Sequence, residues 1–354
     1  MEPIIKDKVL VTGISGFLGS HVGRVLLEKG YTVRGTVRDL KNEKKLKPLK
    51  ILPHQERLEL VAADLLKPDS WDAAVAGCTM VAHVASPFPS AIPKDPNQII
   101  RPAVEGTMAV LKACARHKEV RAVVITSSIA AVQSLGKNAK VDYTEADWAD
   151  IATIPPYNQS KTLAEKAAWD FYNGLDKSTR FKLTTINPGL ILGPAYVAGD
   201  FTSGEIIRQF LVGDAFALPR VNFGLVDVRD VAAAHVAALE STKSDGQRYM
   251  CVSEDHLWLE DIAGILREEF GKYGYKVTSR KVRYCSVRFV AFFSSAAKAL
   301  LPFIGKYAHF SNEKIKADLG INFISGKEAI LKMAYSLIEN GIVPNRIAKV
   351  TKKS

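Results

Sequence analysis

The stretch YNQSK sets Tyr157 and Lys161 four residues apart in a segment with helical patterning, so both side chains leave one face. A phenol of ordinary acidity, pKa about 10, exchanges protons poorly near neutrality. A neighbouring ammonium stabilises the phenolate, lowers that value and makes the pair a proton donor and acceptor. Carbonyl chemistry also needs a hydroxyl that polarises the oxygen as charge develops on it. VVITSSIAAV (123–132) offers Thr126, Ser127 and Ser128 at the end of an apolar run, where the simpler use would be to cap the next turn.

A phosphate-binding signature stands upstream. VTGISGFLG (11–19) carries Gly13, Gly16 and Gly19 directly after a strand and at the opening of a helix. Glycines there permit a tight turn and let backbone N–H groups approach a pyrophosphate, which the helix N-terminus favours. An NAD site expects an acidic residue about 20 positions further on. In VRGTVRD, Arg34 and Arg38 instead precede Asp39, and Lys44 follows. A guanidinium forks onto a phosphate, so NADP(H) is the expected cofactor, with Arg38 at the ribose phosphate.

These groups need a scaffold. KVLVTG (8–13), YTVRGTV (31–37), LELVAAD (58–64), TMVAHVAS (79–86) and AVVITSS (122–128) read as strands separated by helical sequence. That alternation predicts an α/β fold, a Rossmann doubly wound parallel sheet with a smaller, mostly helical C-terminal substrate lobe. The expected division is 1–188 for the NADP-binding domain with a return segment 224–252, 189–223 and 253–342 for the lobe, and 343–354 for a basic tail. Open sheets bind ligands at the carboxyl ends of their strands, where TSS falls. Asp64, ending the third strand, could accept from an adenine amino group or cap the following helix. His83 reads as a packed core histidine. In the lobe, Phe201, Ile206, Phe210, Phe216, Phe223 and Tyr284 suit an apolar pocket, with core packing as the default.

Composition narrows the classes. The 354 residues carry a net charge of +11, but the cations are spread and not interleaved with aromatics, so no nucleic-acid partner is expected. Four cysteines without paired spacing, and no metal motif, suggest reduced thiols and no metal. No leader pattern opens the chain, and cytoplasmic localisation is the expectation. The apolar stretch 287–305 is broken by Arg288, Lys298 and Pro302, so stable membrane insertion is not expected, and a substrate-lobe helix is. A monomer or homodimer acting on a small carbonyl or alcohol is anticipated.

Together, VLVTGISGFLGSHV, VRGTVRD, GCTMVAHVASPF, VITSSIAAV, YNQSKTLAEKAAWDF, INPGLILGP and VDVRDVAAAHV resemble the extended short-chain dehydrogenase/reductases. Within them the chain is similar to the branch of dihydroflavonol reductase, cinnamoyl-CoA reductase and microbial aldehyde or carbonyl reductases. The resemblance implies Ser128, the serine followed by IAAV, as the carbonyl-orienting hydroxyl. It implies Tyr157 as the acid in reduction and Lys161 as its ribose-binding partner. Cofactor contacts are implied at Thr12, Gly13, Ser15, Gly16, Phe17, Leu18 and Gly19, then at Arg38, Lys44, Asp64 and Leu65. Further contacts are implied at Val84, Ala85, Ser86 and Thr126, and at Pro188, Gly189 and Leu190.

Departures from the family pattern are informative. Ala103 replaces an asparagine that supports the active-site water network in many members. Gln133 stands where flavonol-type reductases grip the substrate with asparagine, and Gly224 where they use glutamine, so flavonoid reduction is not supported. The leading expectation is a reversible NADPH-dependent reductase of an aldehyde or ketone. The alternatives are a nucleotide-sugar epimerase, for which Arg208, Arg220 and Arg229 are candidate cations, or a 3β-hydroxysteroid-type dehydrogenase. A non-catalytic NADP-binding regulator is a third reading, disfavoured because Tyr157 and Lys161 are both kept.

Overall fold

The computed structural model describes residues 6–87, 95–196 and 202–348. β1 (Lys6–Val11) leads into α1 (Phe17–Glu28), β2 (Tyr31–Val37), the short α2 (Glu43–Leu46) and β3 (Leu58–Ala62). α3 (Ser70–Val75), β4 (Met80–His83), α4 (Asn97–Arg116) and β5 (Ala122–Thr126) follow. The two-residue β6 (Asp142–Tyr143) then precedes α5 (Pro156–Gly174) and β7 (Lys182–Pro188).

Beyond β7 come β8 (Leu190–Leu192), α6 (Thr202–Val212), β9 (Asn222–Asp227), α7 (Val228–Glu240) and β10 (Gln247–Cys251). β11 (His256–Trp258), α8 (Leu259–Phe270), α9 (Tyr284–Val290) and α10 (Ser295–Leu300) come next. β12 (His309–Phe310), α11 (Glu313–Leu319) and α12 (Gly326–Glu339) complete the order.

Seven strands form one sheet in the order β10-β7-β5-β4-β1-β2-β3, with every pairing parallel. β4 is buried along its whole length, as a strand covered on both faces must be. The pleat divides β1: Val9 and Val11 pack with Val22, Leu26 and Val231, while Leu10 packs on the other face with Val81, Val110 and Val123. Chain order reverses between β1 and β4, so a crevice opens beyond their carboxyl ends.

β10, from the segment 224–252, is an edge strand of that sheet. β9, from the same segment, instead lies between β8 and β11 in a three-stranded sheet. A second core joins this small sheet to α6, α8 and α12 through Leu225, Ile207, Phe210, Ile262, Leu266 and Met333. Phe210 is thus a core residue, Ile206 and Phe223 pack against that core, and Phe216 and Tyr284 are exposed. These five residues are thus divided between the core and the surface, and Phe201 lies outside the described residues.

The stretch 287–305 also departs from expectation. It is split between two short helices and a 3-10 turn, Leu301–Phe303, with Phe292 and Phe293 in the break. In the segment 343–354, Val343 is buried in the second core and the Pro344 carbonyl accepts from Tyr275, while 349–354 lies outside the described residues.

Candidate active site

Thr12 joins the first strand to the fourth. Its Oγ1 accepts the N–H groups of Val84 at 3.0 Å and Ala85 at 2.9 Å and lies 2.9 Å from His83 Nδ1. With two N–H groups donating to it, the hydroxyl proton is directed at Nδ1, which requires a neutral ring. Burial, reinforced by the Lys161 charge, lowers His83 to about 3. His83 is the packed core histidine that its strand position suggested. The Thr12 side chain is fully buried and ties the crevice wall together.

The glycine loop follows. Gly13 adopts φ +66°, and its N–H donates to Thr36 Oγ1 at 2.9 Å. A Cβ on Gly19 would stand 2.3 Å from the Gly13 carbonyl oxygen, so only glycine lets the helix begin this close under the turn. α1 starts from Gly16 with no side-chain cap and no acidic residue in its first turn, which suits an anion. Ser15, Gly16 and Phe17 line the accessible side of this turn, whereas the Leu18 side chain is committed to the core.

Around the crevice the predicted cofactor residues divide by exposure. Arg38, just past β2, and Lys44, in α2, are exposed. Arg34, grouped with Arg38 by the sequence, is instead turned into the fold. It is 9% exposed, donates to the carbonyls of Ala74 and Ala76 and pairs with Glu59 at 3.1 Å. Asp64 Oδ1 accepts from Leu66 N–H at 3.0 Å, which closes a local turn, and the N-cap of the following helix is Asp69 instead. Leu65 packs toward Gly106 of α4. Pro188 ends β7, and Gly189 passes so close to Gly224 that a Cβ would lie 2.3 Å from the Gly224 carbonyl oxygen. Leu190 packs against the second core, and Gln133 is half-buried after the serine loop.

The reactive groups converge from β5 and α5. Ser128 Oγ accepts from Ala130 N–H at 3.1 Å and is hydrogen-bonded to the Tyr157 phenol. Ser127 points elsewhere: it is 5% exposed and donates to Glu165 Oε2 at 2.5 Å. Thr126 donates its hydroxyl to His235 Nε2 of α7 at 2.7 Å, because His235 Nδ1–H is given to the Val231 carbonyl. Of the three hydroxyls, Ser128 is the one the structure brings to Tyr157.

Lys161 Nζ donates to Ser86 Oγ at 3.1 Å, across from the end of β4. Spacing alone suggested a phenol lowered by the ammonium. Burial instead pushes Tyr157 up to about 12, with the Ser128 hydrogen bond opposing, and pushes Lys161 down to about 8. Desolvation outweighs the Ser128 hydrogen bond at Tyr157 and the attraction of the Glu165 carboxylate at Lys161.

Sequence reasoning missed the support beneath these residues. Glu165, one turn past Lys161 and 2% exposed, accepts from Ser127, Thr185, Asn187 and Arg248. The Arg248 guanidinium stacks 3.8 Å over the Trp148 ring. Only the continued four-residue spacing Tyr157, Lys161, Glu165 could have signalled it.

Comparisons with known proteins fit this arrangement. The NAD dependent epimerase/dehydratase family model matches residues 9–251. A cinnamoyl-CoA reductase of Medicago truncatula is 40% identical over 269 residues, 73% of this chain and 80% of that protein. Among solved structures, yeast methylglyoxal/isovaleraldehyde reductase Gre2 complexed with NADPH superposes with a TM-score of 0.78 at 28% identity. It covers 94% of this chain and 98% of that one. Vestitone reductase from alfalfa gives 0.73 at 28% identity, covering 96% and 100%.

Proposed function

The chain belongs to the NAD dependent epimerase/dehydratase family, and from that premise we propose that it is an NADPH-dependent reductase of aldehydes or ketones. The observation that carries this reading is the hydrogen bond between Ser128 and the Tyr157 phenol, with Lys161 one turn along the same helix. The relatives support it: the three described above are reductases, and the yeast protein is complexed with NADPH.

The residues present fit the cofactor. The Gly13–Gly19 turn is packed so tightly on itself that a Cβ at Gly19 would meet the Gly13 carbonyl oxygen, which keeps the uncapped start of α1 directly behind the turn. Arg38 and Lys44 are the cations for a 2′-phosphate, with Asp64 and Leu65 toward adenine. Val84, Ala85 and Ser86, together with Pro188, Gly189 and Leu190, border the nicotinamide end. The bound cofactor supplies a hydride to the carbonyl carbon. Ser128 donates its hydroxyl proton as a hydrogen bond to the carbonyl oxygen, Tyr157 transfers a proton to that oxygen, and Lys161 holds the ribose. A proton donor raised to about 12 stays protonated at neutral pH, the state reduction requires.

A nucleotide-sugar epimerase would need cations for a diphosphate. Arg208 pairs with Glu205 and Asp214, Arg229 with Asp227 and Glu328, and Arg220 stacks over Trp258. Those engagements favour the reductase.

The test is NADPH consumption over aldehydes, diketones, flavonoids and steroids. Tyr157→Phe should abolish turnover with NADPH binding nearly intact, and Arg38→Ala should weaken NADPH selectively over NADH. Turnover that survives in Tyr157→Phe, or equal use of NADH, would refute the reading.

A further inference from the structure

We propose that the face built by α9, α10 and the turns around them docks on an anionic phospholipid bilayer. Between Glu269 and Glu313 the chain has eight lysines and arginines and no aspartate or glutamate. That segment alone contributes +8 beside a whole-chain net charge of +11, so the positive charge is less evenly spread than the composition suggested. Lys272 and Lys281 pair with Glu269 and Glu260 from outside it. Arg283, Arg288 and Lys298 are exposed and meet no carboxylate among the described residues.

The same segment exposes its apolar side chains. Phe289 is 66% exposed, Phe292 77% and Phe293 82%. The rings of Phe289 and Phe293 meet edge to face with centroids 5.8 Å apart, so they project as one apolar unit. The segment is nevertheless anchored: Val287 is buried, and Phe303 packs on Leu135, Ala149 and Ile154 just ahead of α5. A contiguous aromatic projection on a soluble-type fold calls for an occupant.

Charge decides which occupant. A second copy on a two-fold axis would set this positive segment against itself. Spanning is excluded by length, since α9 has 7 residues, α10 has 6, and no described helix is long and apolar enough to cross a membrane. Anionic headgroups match the unpaired arginines and lysine, and the boundary below the headgroups takes phenylalanine rings, which have no polar group to satisfy. Basic residues flanking an aromatic cluster are the chemistry of a peripheral interfacial contact.

The experiment is flotation of the purified full chain with vesicles of phosphatidylcholine alone and of phosphatidylcholine mixed with phosphatidylserine. The chain should float with the mixed vesicles only and be released by high salt. The combined variant Phe289→Ser, Phe292→Ser, Phe293→Ser should lower the partition coefficient at least tenfold with circular dichroism and NADPH oxidation unchanged. Arg283→Glu with Arg288→Glu should abolish flotation. No flotation, equal flotation with both vesicle types, or wild-type flotation by the phenylalanine variant would overturn the proposal. So would a dimer in light scattering that the phenylalanine variant dissociates, since it would give the face to a second copy. Because NADPH oxidation in solution is read separately, loss of the docking face leaves the reductase reading untouched, and the reverse holds.

Discussion

Asn187 donates from Nδ2 to Glu165 Oε2 at 2.8 Å, and the same nitrogen donates to the Ser128 carbonyl oxygen at 3.2 Å. One side-chain amide thus connects the loop carrying Ser128 to the helix carrying Tyr157 and Lys161. Glu165 is held in turn by Arg248, Nε to Oε1 2.6 Å, whose own carbon stem and guanidinium are nearly buried. The relative position of hydroxyl, phenol and ammonium therefore rests on a buried ion pair that touches none of them directly.

Glu165→Gln keeps the shape and removes the charge, leaving Arg248 buried without its counterion. Urea unfolding should show a loss of about 3–5 kcal/mol, the usual result of breaking a buried pair. kcat should fall more than KM rises, because Asn187 no longer fixes the Ser128 loop. Adding Arg248→Met should recover part of the stability, and a double variant no more stable than Glu165→Gln would argue against the pair.

The two neighbouring serines should behave differently. Ser128→Ala removes a donor to the developing negative charge and should lower kcat about 10²–10³-fold with little change in Tm. Ser127→Ala takes a donor from Glu165 and should cost about 1–3 kcal/mol of stability while retaining most activity. Steady-state kinetics beside thermal unfolding distinguish them, and the opposite pattern would reassign the roles.

Gly19→Ala forces a Cβ to within 2.3 Å of a backbone oxygen that no rotamer can move. The loop must shift, and the Kd for NADPH in a fluorescence titration should rise at least about tenfold, or about 1.4 kcal/mol. Gly174→Ala, where a Cβ meets nothing within 4 Å, serves as the control and should bind NADPH normally.

Lys161 titrates near 8 because burial disfavours its charge. kcat/KM for NADPH, which reports on the free enzyme, should fall as pH rises through about 8, when the ammonium is lost. Its effect on stability has the opposite direction. The unfolded chain holds this proton up to about 10.4, so between about 8 and 10.4 it binds more protons than the native state. The penalty is full below pH 8 and relieved as pH rises through that window, and in Lys161→Met the corresponding slope should vanish.

Asp230, 6% exposed, is raised to about 6, chiefly by burial, while its carboxylate accepts from Ile324 N–H at 2.8 Å. A raised carboxyl favours the native state fully below the unfolded pKa of about 3.9 and loses that contribution as pH rises through about 6. Asp230→Asn preserves an acceptor for Ile324 and removes the titration. Tm measured from pH 4 to 7 should decline less steeply in the variant, and identical slopes would exclude Asp230 as the cause.

Local signals were legible in the residues alone because their range is short. The Gly13, Gly16, Gly19 spacing needs only a strand, a turn and a helix, and Tyr157 and Lys161 need only one helical turn to share a face. The alternation of apolar strands with helices reached as far as a parallel doubly wound sheet. Arg34 shows the limit. Its place beside Arg38 suggested a guanidinium available to the cofactor phosphate, yet Arg34 is turned inward onto the carbonyls that end α3.

What the amino-acid order alone determined was the inventory: a phosphate loop, a cation pair after the second strand, three hydroxyls at a strand end, and a tyrosine and lysine on one helical face. Tertiary structure decided how that inventory is deployed. β7, β10 and α5 converge on Glu165, which takes Ser127 out of the running and leaves Ser128 to meet Tyr157. Burial then raises Tyr157 where spacing implied a lowered phenol, and it lowers Lys161 as well. The reason is physical: pattern reports which neighbours share a face, whereas desolvation depends on everything packed around them.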